Sequence, residues 1–375
     1  MSCGEVSSVS TIGLSIGRRA GLARDIAEGF RLHLPLHFVA AVTWIAGLLV
    51  AWRFSIPADF FHIVAALRVL LTLLVLFMLF AALATIVKCA VKTRPESLTR
   101  EIAGMLRRRF LNPRVSVNLV NAIIAMALFH HGYLLLKRAI PFLNPFAWDK
   151  AFAELDRILH FGHQPFELLA WIFPTPFATF IIAYVYISWF LVMISFWVAF
   201  GVLLRDDVLR VRFLLAFMLT WLLGSAGLGT VFSSVGPCFY DRLLGEAGPY
   251  QPLMSSLIAA NAHWHISAVG IQETLWQSYV TGGGRVGGIS AMPSMHVASA
   301  VLFALTGMRV DNRLAWLLWA YALVIFLGSI HLAWHYAVDG YAGAGLAVLF
   351  WVIAGYVVSW SGARRPICGS AEAKV

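Results

Sequence analysis

Two histidines and one aspartate in the C-terminal half of the chain have the types and spacing needed for nucleophilic and acid–base chemistry. His335 and Asp339 are four residues apart, so on a helix they share one face. The carboxylate can then accept a hydrogen bond from one ring nitrogen, which fixes the tautomer and leaves the other nitrogen as nucleophile or base. A second histidine, His296, can protonate a leaving oxygen.

The residues before His296 favour an anion as the ligand. Pro293 suits the first turn of a helix, and the amides that follow it would direct their positive ends towards an anion. A phosphate placed there would meet a helix N-terminus and two histidines. The alternative interpretation is that these histidines only hydrogen-bond lipid headgroups or helix ends at the membrane interface.

The composition requires these residues to be held in a membrane. The 375-residue chain is 60% hydrophobic and 12% charged, about half the charged fraction of a soluble domain. Its net charge of +10 falls mostly in short loops between apolar runs, where Lys and Arg determine topology, so nucleic-acid binding is not indicated.

The hydropathy pattern predicts an all-α bundle of about eight transmembrane helices. Their expected bounds are Leu36–Trp52, Ile63–Val87, Val115–Leu136, Phe177–Leu204, Phe213–Phe232, Pro293 to just before Arg309, Leu314–Ile330 and Gly340–Trp360. A leader (residues 1–35) and a tail (residues 361–375) flank one membrane domain (residues 36–360), and residues 152–169 are expected to form an amphipathic interfacial helix or pair.

The charge distribution predicts the orientation. With both termini inside, 20 of the 28 Lys and Arg residues lie on the cytoplasmic side and 8 outside, in agreement with the positive-inside rule. His296, His335 and Asp339 then meet at the outer face. A bacterial inner membrane, with the site facing the periplasm or exterior, is the expected location.

Two segments resemble signature motifs of a known family. Pro293-Ser-Met-His296 and His335-Tyr-Ala-Val-Asp339 are similar to the second and third motifs of the type 2 phosphatidic acid phosphatase superfamily. The fit is closest to its inositol phosphorylceramide synthase branch, and Phe232-Ser-Ser-Val-Gly-Pro-Cys-Phe-Tyr240 resembles a further element of that branch. A core at about residues 177–360 is expected to carry the resemblance.

The resemblance implies an enzyme in which His335 attacks phosphorus and forms a phospho-histidine, Asp339 orients it and His296 acts as the acid. Water or a lipid alcohol would then accept the phosphoryl group, and neither a metal nor a cofactor is implied. The superfamily's first motif has no match, and Ser329 occupies the position of an arginine. The expected substrate contacts are Arg242, Tyr240, Ser294, Arg285, His331 and Ser329.

Several alternatives stay open. A strict lipid phosphate phosphatase, acting on phosphatidic acid or a prenyl pyrophosphate, would use the same histidines as a headgroup transferase. A haem or metal protein is conceivable because His130-His131 and His263-Trp-His265 are present, although neither has a Cys or carboxylate at ligand spacing. A transporter would carry charged residues within the spans, where only Arg68 lies, near one end. The oligomeric state is not predicted.

Overall fold

A computed structural model of the protein describes residues 6–58, 97–110, 113–202, 206–281 and 288–360, with scattered positions between 60 and 89. These residues are helical or lie in turns and loops, and they contain no strand. The helices are α1 (Val6–Arg53), α2 (Leu98–Phe110), α3 (Pro113–Leu143), α4 (Asp149–Leu159), α5 (Pro165–Leu169), α6 (Pro176–Ile187), α7 (Trp189–Phe196), α8 (Asp207–Leu219), α9 (Gly229–Val231), α10 (Tyr240–Leu244), α11 (Gln251–His263), α12 (Ser267–Val280), α13 (Met295–Gly307), α14 (Asn312–His331) and α15 (Ala337–Trp360).

Within the described residues, six helical segments are long and apolar enough to cross a bilayer, which confirms the predicted helical membrane bundle but not its expected number of about eight spans. They are Ala23–Arg53, Val115–Leu143, Pro176–Ala199, Asp207–Val231, Asn312–His331 and Ala337–Trp360. The expected sixth span is the 13-residue helix α13, about 20 Å long at 1.5 Å per residue and therefore shorter than a bilayer core. The expected second span lies largely outside the described residues.

Several element bounds differ from the expectation. Helix α1 continues without a break through residue 35, where the sequence predicts the end of a leader, and its membrane segment begins at Ala23. Helix α3 extends to Leu143, seven residues beyond the expected end of the third span. The tail from residue 361 lies outside the described residues.

Glycines allow α1 and α3 to pack backbone against backbone. A Cβ added to Gly47 would lie 2.5 Å from the carbonyl oxygen of Gly132, and one added to Gly132 would lie 2.5 Å from that of Thr43. Small residues at such a crossing give close van der Waals contact between membrane helices. This pair forms one wall of the bundle and positions the last turns of α3 beside the site.

Helix α13 occupies the centre of the bundle, which explains why it can be short. Nearly all its side chains are buried, and it packs against α8, α14 and α15. Its N-terminus meets α15 at Gly343, where an added Cβ would lie 2.4 Å from the carbonyl oxygen of Ser294. Any larger residue at Gly343 would separate the two helices that carry His296 and Asp339.

Candidate active site

His335 and Asp339 form the pair that their spacing predicts. The Nδ1 atom of His335 lies 3.3 Å from Oδ2 of Asp339, and the same oxygen accepts a 3.0 Å hydrogen bond from the Tyr336 amide. Asp339 is completely buried, and its second oxygen has no hydrogen-bond partner among the described residues. With Nδ1 bound to the carboxylate, Nε2 is the ring nitrogen of His335 that is left for chemistry.

Backbone contacts hold the turn that presents His335 between α14 and α15. The carbonyl of Ser329 accepts hydrogen bonds from the amides of Trp334 (2.9 Å) and His335 (3.2 Å). Ala333 adopts a left-handed conformation, with φ of 60° and no exposed surface. A non-glycine residue in this conformation costs free energy, which the surrounding contacts must offset. The position of His335 is therefore imposed by its surroundings.

The segment 232–240 packs directly onto this turn. The Cys238 amide donates to the Ala333 carbonyl at 2.9 Å. At Gly236, φ is +90° and an added Cβ would lie 2.7 Å from the Trp334 carbonyl oxygen, so both the conformation and the space require glycine. The sequence singles out this segment by resemblance, and its role in the structure is to support the backbone beside His335.

The start of α13 brings His296 to the same place. The Ser294 side chain caps this helix by accepting from the Val297 amide at 3.4 Å, and its own amide donates to the Asp339 carbonyl at 2.9 Å. The first amides of a helix have no acceptor within it, so those of Met295 and His296, which the cap does not use, can bind a ligand. The hydrogen bond from the Ser294 amide to the Asp339 carbonyl thus joins the two motifs.

The His296 ring faces His335 and is held by aromatic side chains. The two imidazole centroids are 5.7 Å apart at an interplanar angle of 62°. Tyr186 stacks on His296 at 4.8 Å, and Trp189 lies 4.3 Å from it. Among the described residues, the ring nitrogens of His296 make no hydrogen bond, and His296 lines the same cavity as His335.

Two buried aspartates of α4, which sequence analysis did not identify, anchor the motif that carries His335. Asp149 accepts hydrogen bonds from the Val235 and Gly236 amides (3.0–3.1 Å) and from the Tyr336 hydroxyl (2.8 Å). Asp156 accepts from the first two amides of α15, those of Ala337 (2.7 Å) and Val338 (3.0 Å). Helix α4 therefore clamps both segments that surround His335.

Burial raises the pKa of the Asp156 carboxyl to about 6, and the like charge of Asp339 adds to this against the opposing backbone hydrogen bonds. Because the folded pKa lies above the unfolded value, the folded state binds more protons between about pH 4 and 6, and its stability should fall as pH rises through that window. The melting temperature of wild type minus that of Asp156→Asn should therefore decrease from pH 4 to pH 6. A difference that increases with pH would mean that the amides of α15 outweigh burial and lower this pKa.

One cavity of about 400 Å³ opens onto both histidines. Its walls are mainly apolar and aromatic, with contributions from Tyr186, Trp189, Trp221 and Phe239. Lys137 and His130 of α3 also reach it, and Asp, Glu and Arg are absent from its lining as far as the described residues go. No group of three or more His, Cys, Asp or Glu suited to a metal ion occurs in the described part of the chain.

Arg242 and Tyr240, two of the expected contacts, are not among the described residues that line this cavity. The Arg242 guanidinium forms an ion pair with Glu273 at 2.7 Å and lies 5.7 Å from the Trp276 ring centroid. Its positive charge is therefore already paired with a carboxylate. Tyr240 is buried against Tyr250, at 5.5 Å between ring centroids. Arg285 lies outside the described residues.

The remaining expected contacts have structural partners. Nε2 of His331 lies 2.9 Å from the Thr179 hydroxyl and its ring packs 4.7 Å from Phe173, so it does not stack beneath His335. The Ser329 hydroxyl donates to the Phe326 carbonyl at 2.7 Å. Ser294 is completely buried and caps α13. These residues shape the backbone of the site, and their expected contact with substrate stays a prediction.

The family comparison agrees with this geometry. The family model described as PAP2 superfamily matches residues 150–353, which is more than half of the chain and includes His296, His335 and Asp339. No curated protein and no solved structure matches. The matched region begins within α4 and ends within α15, so it contains the clamp at Asp156 but not Lys137. The chain therefore belongs to the PAP2 superfamily.

Proposed function

We propose that this protein is a membrane enzyme that cleaves or transfers a lipid phosphate or phospho-headgroup through a covalent phospho-histidine. The observation that carries the proposal is the pair His296 and His335, which face each other across one cavity, with Asp339 behind His335. Superfamily membership supports a phosphoesterase of this general kind. The two histidines supply the nucleophile and the acid that such a reaction needs.

In the first step, Nε2 of His335 attacks phosphorus and forms the N–P bond. The bond between phosphorus and the leaving oxygen breaks, and His296 donates its proton to that oxygen. The positive charge that develops on the His335 ring is stabilised by the Asp339 carboxylate at Nδ1. In the second step, His296 accepts a proton from water or a lipid alcohol, whose oxygen attacks phosphorus and releases His335.

The apolar and aromatic cavity walls favour a lipid as the substrate. Similarity to the inositol phosphorylceramide synthase branch supports transfer to a lipid alcohol such as ceramide or diacylglycerol. A strict lipid phosphate phosphatase is the second candidate, because the same residues can activate water. The excess of Lys and Arg on the other side of the membrane supports a site on the periplasmic or exterior face of a bacterial inner membrane.

Reconstitution tests this function. Purified protein would be placed in liposomes with labelled phosphatidic acid or phosphatidylinositol, with and without ceramide and diacylglycerol, beside His335→Asn. Release of phosphate or headgroup without an acceptor would identify a phosphatase, and a new phospholipid that requires the acceptor would identify a transferase. Lack of turnover of every donor, or equal turnover by His335→Asn, would contradict the proposal.

The role of His296 as acid predicts a dependence on the leaving group. We expect His296→Ala to lower kcat for an alkyl phosphate ester by about 10²-fold or more, because an alkoxide leaves slowly without protonation. An aryl phosphate with the same lipid chain needs less protonation, so its rate should fall much less. Turnover of the two esters by wild type and variant would be compared. Equal losses would show that His296 does not protonate the leaving oxygen.

A further inference from the structure

The side chains of α4 separate into three faces, of which the active site uses one. That face is buried and consists of Asp149, Phe152, Ala153 and Asp156. A second face is charged and exposed, and its residues follow at helical spacings of four and three, namely Lys150, Glu154 and Arg157. Lys150 forms an ion pair with Glu246, and Arg157 forms one with Glu154, each at 2.6 Å. This second face is therefore suited to water.

The third face of α4 is apolar, and the protein does not cover it. Leu155, Ile158 and Leu159 lie on it, and Ile158 is 63% exposed. Phe161, in the turn that follows the helix, is 95% exposed. Single exposed apolar side chains are ordinary, but these are grouped and lie apart from the charged face of the same helix. Such a separation is typical of a helix that lies in the plane of a membrane interface.

Contacts with α15 place the end of α4 at the depth of the membrane boundary. Nε2 of His160 lies 3.1 Å from the Tyr341 hydroxyl, and the two rings are stacked with centroids 6.2 Å apart. Tyr341 is the fifth residue of a span of 24 residues. At about 1.5 Å per residue, such a span is about 6 Å longer than a bilayer core. The end of α4 therefore lies beside the first turns of α15, where headgroups meet the apolar core.

The residues after α5 expose a second apolar segment. Leu169 of α5 packs with Ile330 of α14 and Ala337 of α15, so α5 is also fixed to the turn that carries His335. Trp171 and Ile172 follow, and Trp171 is 89% exposed. The next span begins at Pro176, only five residues later. Tryptophan is enriched where membranes meet water, so this segment suits the same depth as the end of α4.

We infer that an apolar edge of α4 and α5 is embedded in the lipid leaflet beside the active site. This edge consists of Leu155, Ile158, Leu159, Phe161, Trp171 and Ile172. Its partner is a lipid surface, because the edge adjoins the half-exposed Tyr341 of a membrane span while the charged face of α4 points elsewhere. Through Asp149 and Asp156, the opposite face of α4 binds the amides around His335. The leaflet therefore holds the active-site backbone at the depth of the lipid headgroups.

Spin labels on single cysteines would measure the surroundings of this edge in the full chain. The protein would be reconstituted in liposomes of phosphatidylcholine and phosphatidylglycerol. Cys3 and Cys368 would be replaced by Ser, while Cys89 and Cys238 are buried and would stay. Power saturation of each label compares its collisions with oxygen, which concentrates in lipid, and with a nickel chelate, which stays in water.

We expect labels at Ile158→Cys and Phe161→Cys to collide more with oxygen than with the chelate. Glu154→Cys is the matched control on the charged face of α4, and its label should show the reverse. Leu349→Cys, on an exposed position of α15, gives the reference for the apolar core. Chelate access at residue 158 or 161 equal to that at residue 154 would overturn the inference, since the edge would face water. Low access of both reagents would also overturn it and would indicate cover by protein, such as a second copy of the chain.

Discussion

Replacing His335 with Asn is expected to abolish turnover while leaving the fold intact. The Asn side-chain amide can take the place of Nδ1 and donate to Asp339, which is 3.3 Å from that nitrogen in the wild type. No atom replaces Nε2, so no N–P bond can form. We expect a loss of about 10⁴-fold or more in kcat, as for removal of a covalent nucleophile. Turnover of the best lipid donor and thermal unfolding would be measured on the same preparation.

A second histidine provides the control for this variant. His163 lies on the loop before α5, and its exposed ring is 3.1 Å from Glu167. His163→Asn should therefore retain wild-type turnover. If His335→Asn kept more than a few per cent of activity under the same conditions, the nucleophile would have to be another residue.

Replacing Asp339 with Asn is expected to lower kcat while leaving the stability of the fold nearly unchanged. The Asn carbonyl oxygen can accept the two hydrogen bonds that Asp339 accepts from His335 and from the Tyr336 amide. The neutral side chain cannot stabilise the positive charge that develops on the His335 ring. We expect kcat to fall by up to about 10⁴-fold, the scale found when a carboxylate behind a catalytic histidine becomes an amide. The melting temperature should change little.

Asp311→Asn is the matched control for this change. Asp311 caps the opposite end of α14 and is exposed, and Asn is an equally good helix cap. Its turnover should equal that of wild type. A large drop in melting temperature with Asp339→Asn, matched by its loss of activity, would show instead that Asp339 is mainly structural.

The motif residues were predictable because their relation is local. Four residues separate His335 from Asp339, so the start of one helix determines their contact. Their proximity to His296 followed from the alternation of spans, which places the starts of α13 and α15 at the same end of the bundle. The contact between the Ser294 amide and the Asp339 carbonyl could not be read from the sequence, because it depends on how closely Gly343 lets the two helices approach.

The supporting aspartates were missed because their partners are distant in the sequence. The amides that bind Asp149 lie 86 and 87 residues away, and those that bind Asp156 lie 181 and 182 residues away. The sequence pattern of residues 152–169 predicts an amphipathic interfacial helix or pair, and an aspartate in such a helix usually faces water. A signal was available: Asp149 and Asp156 are seven residues apart and share the buried face of α4 with Phe152 and Ala153. Acidic residues on the apolar face of a short helix indicate buried acceptors.

Lys137 lines the cavity, and its place there was not predicted for a different reason. It lies at the predicted start of an extramembrane segment, where a lysine is typical of a span end and determines topology. The expected cationic contacts were therefore Arg242 and Arg285, which precede the second motif. In the structure α3 continues beyond Lys137 to Leu143, and Lys137 lines the cavity.

Trapping the covalent intermediate tests the central claim most directly. Wild type and His335→Asn would be mixed with a labelled lipid phosphate, quenched in alkali during turnover, digested and mapped by mass spectrometry. We expect an alkali-stable, acid-labile phosphoryl group on His335 of wild type and none in the variant. Steady turnover without labelled protein, or a label on any other residue, would contradict a phospho-histidine mechanism at His335.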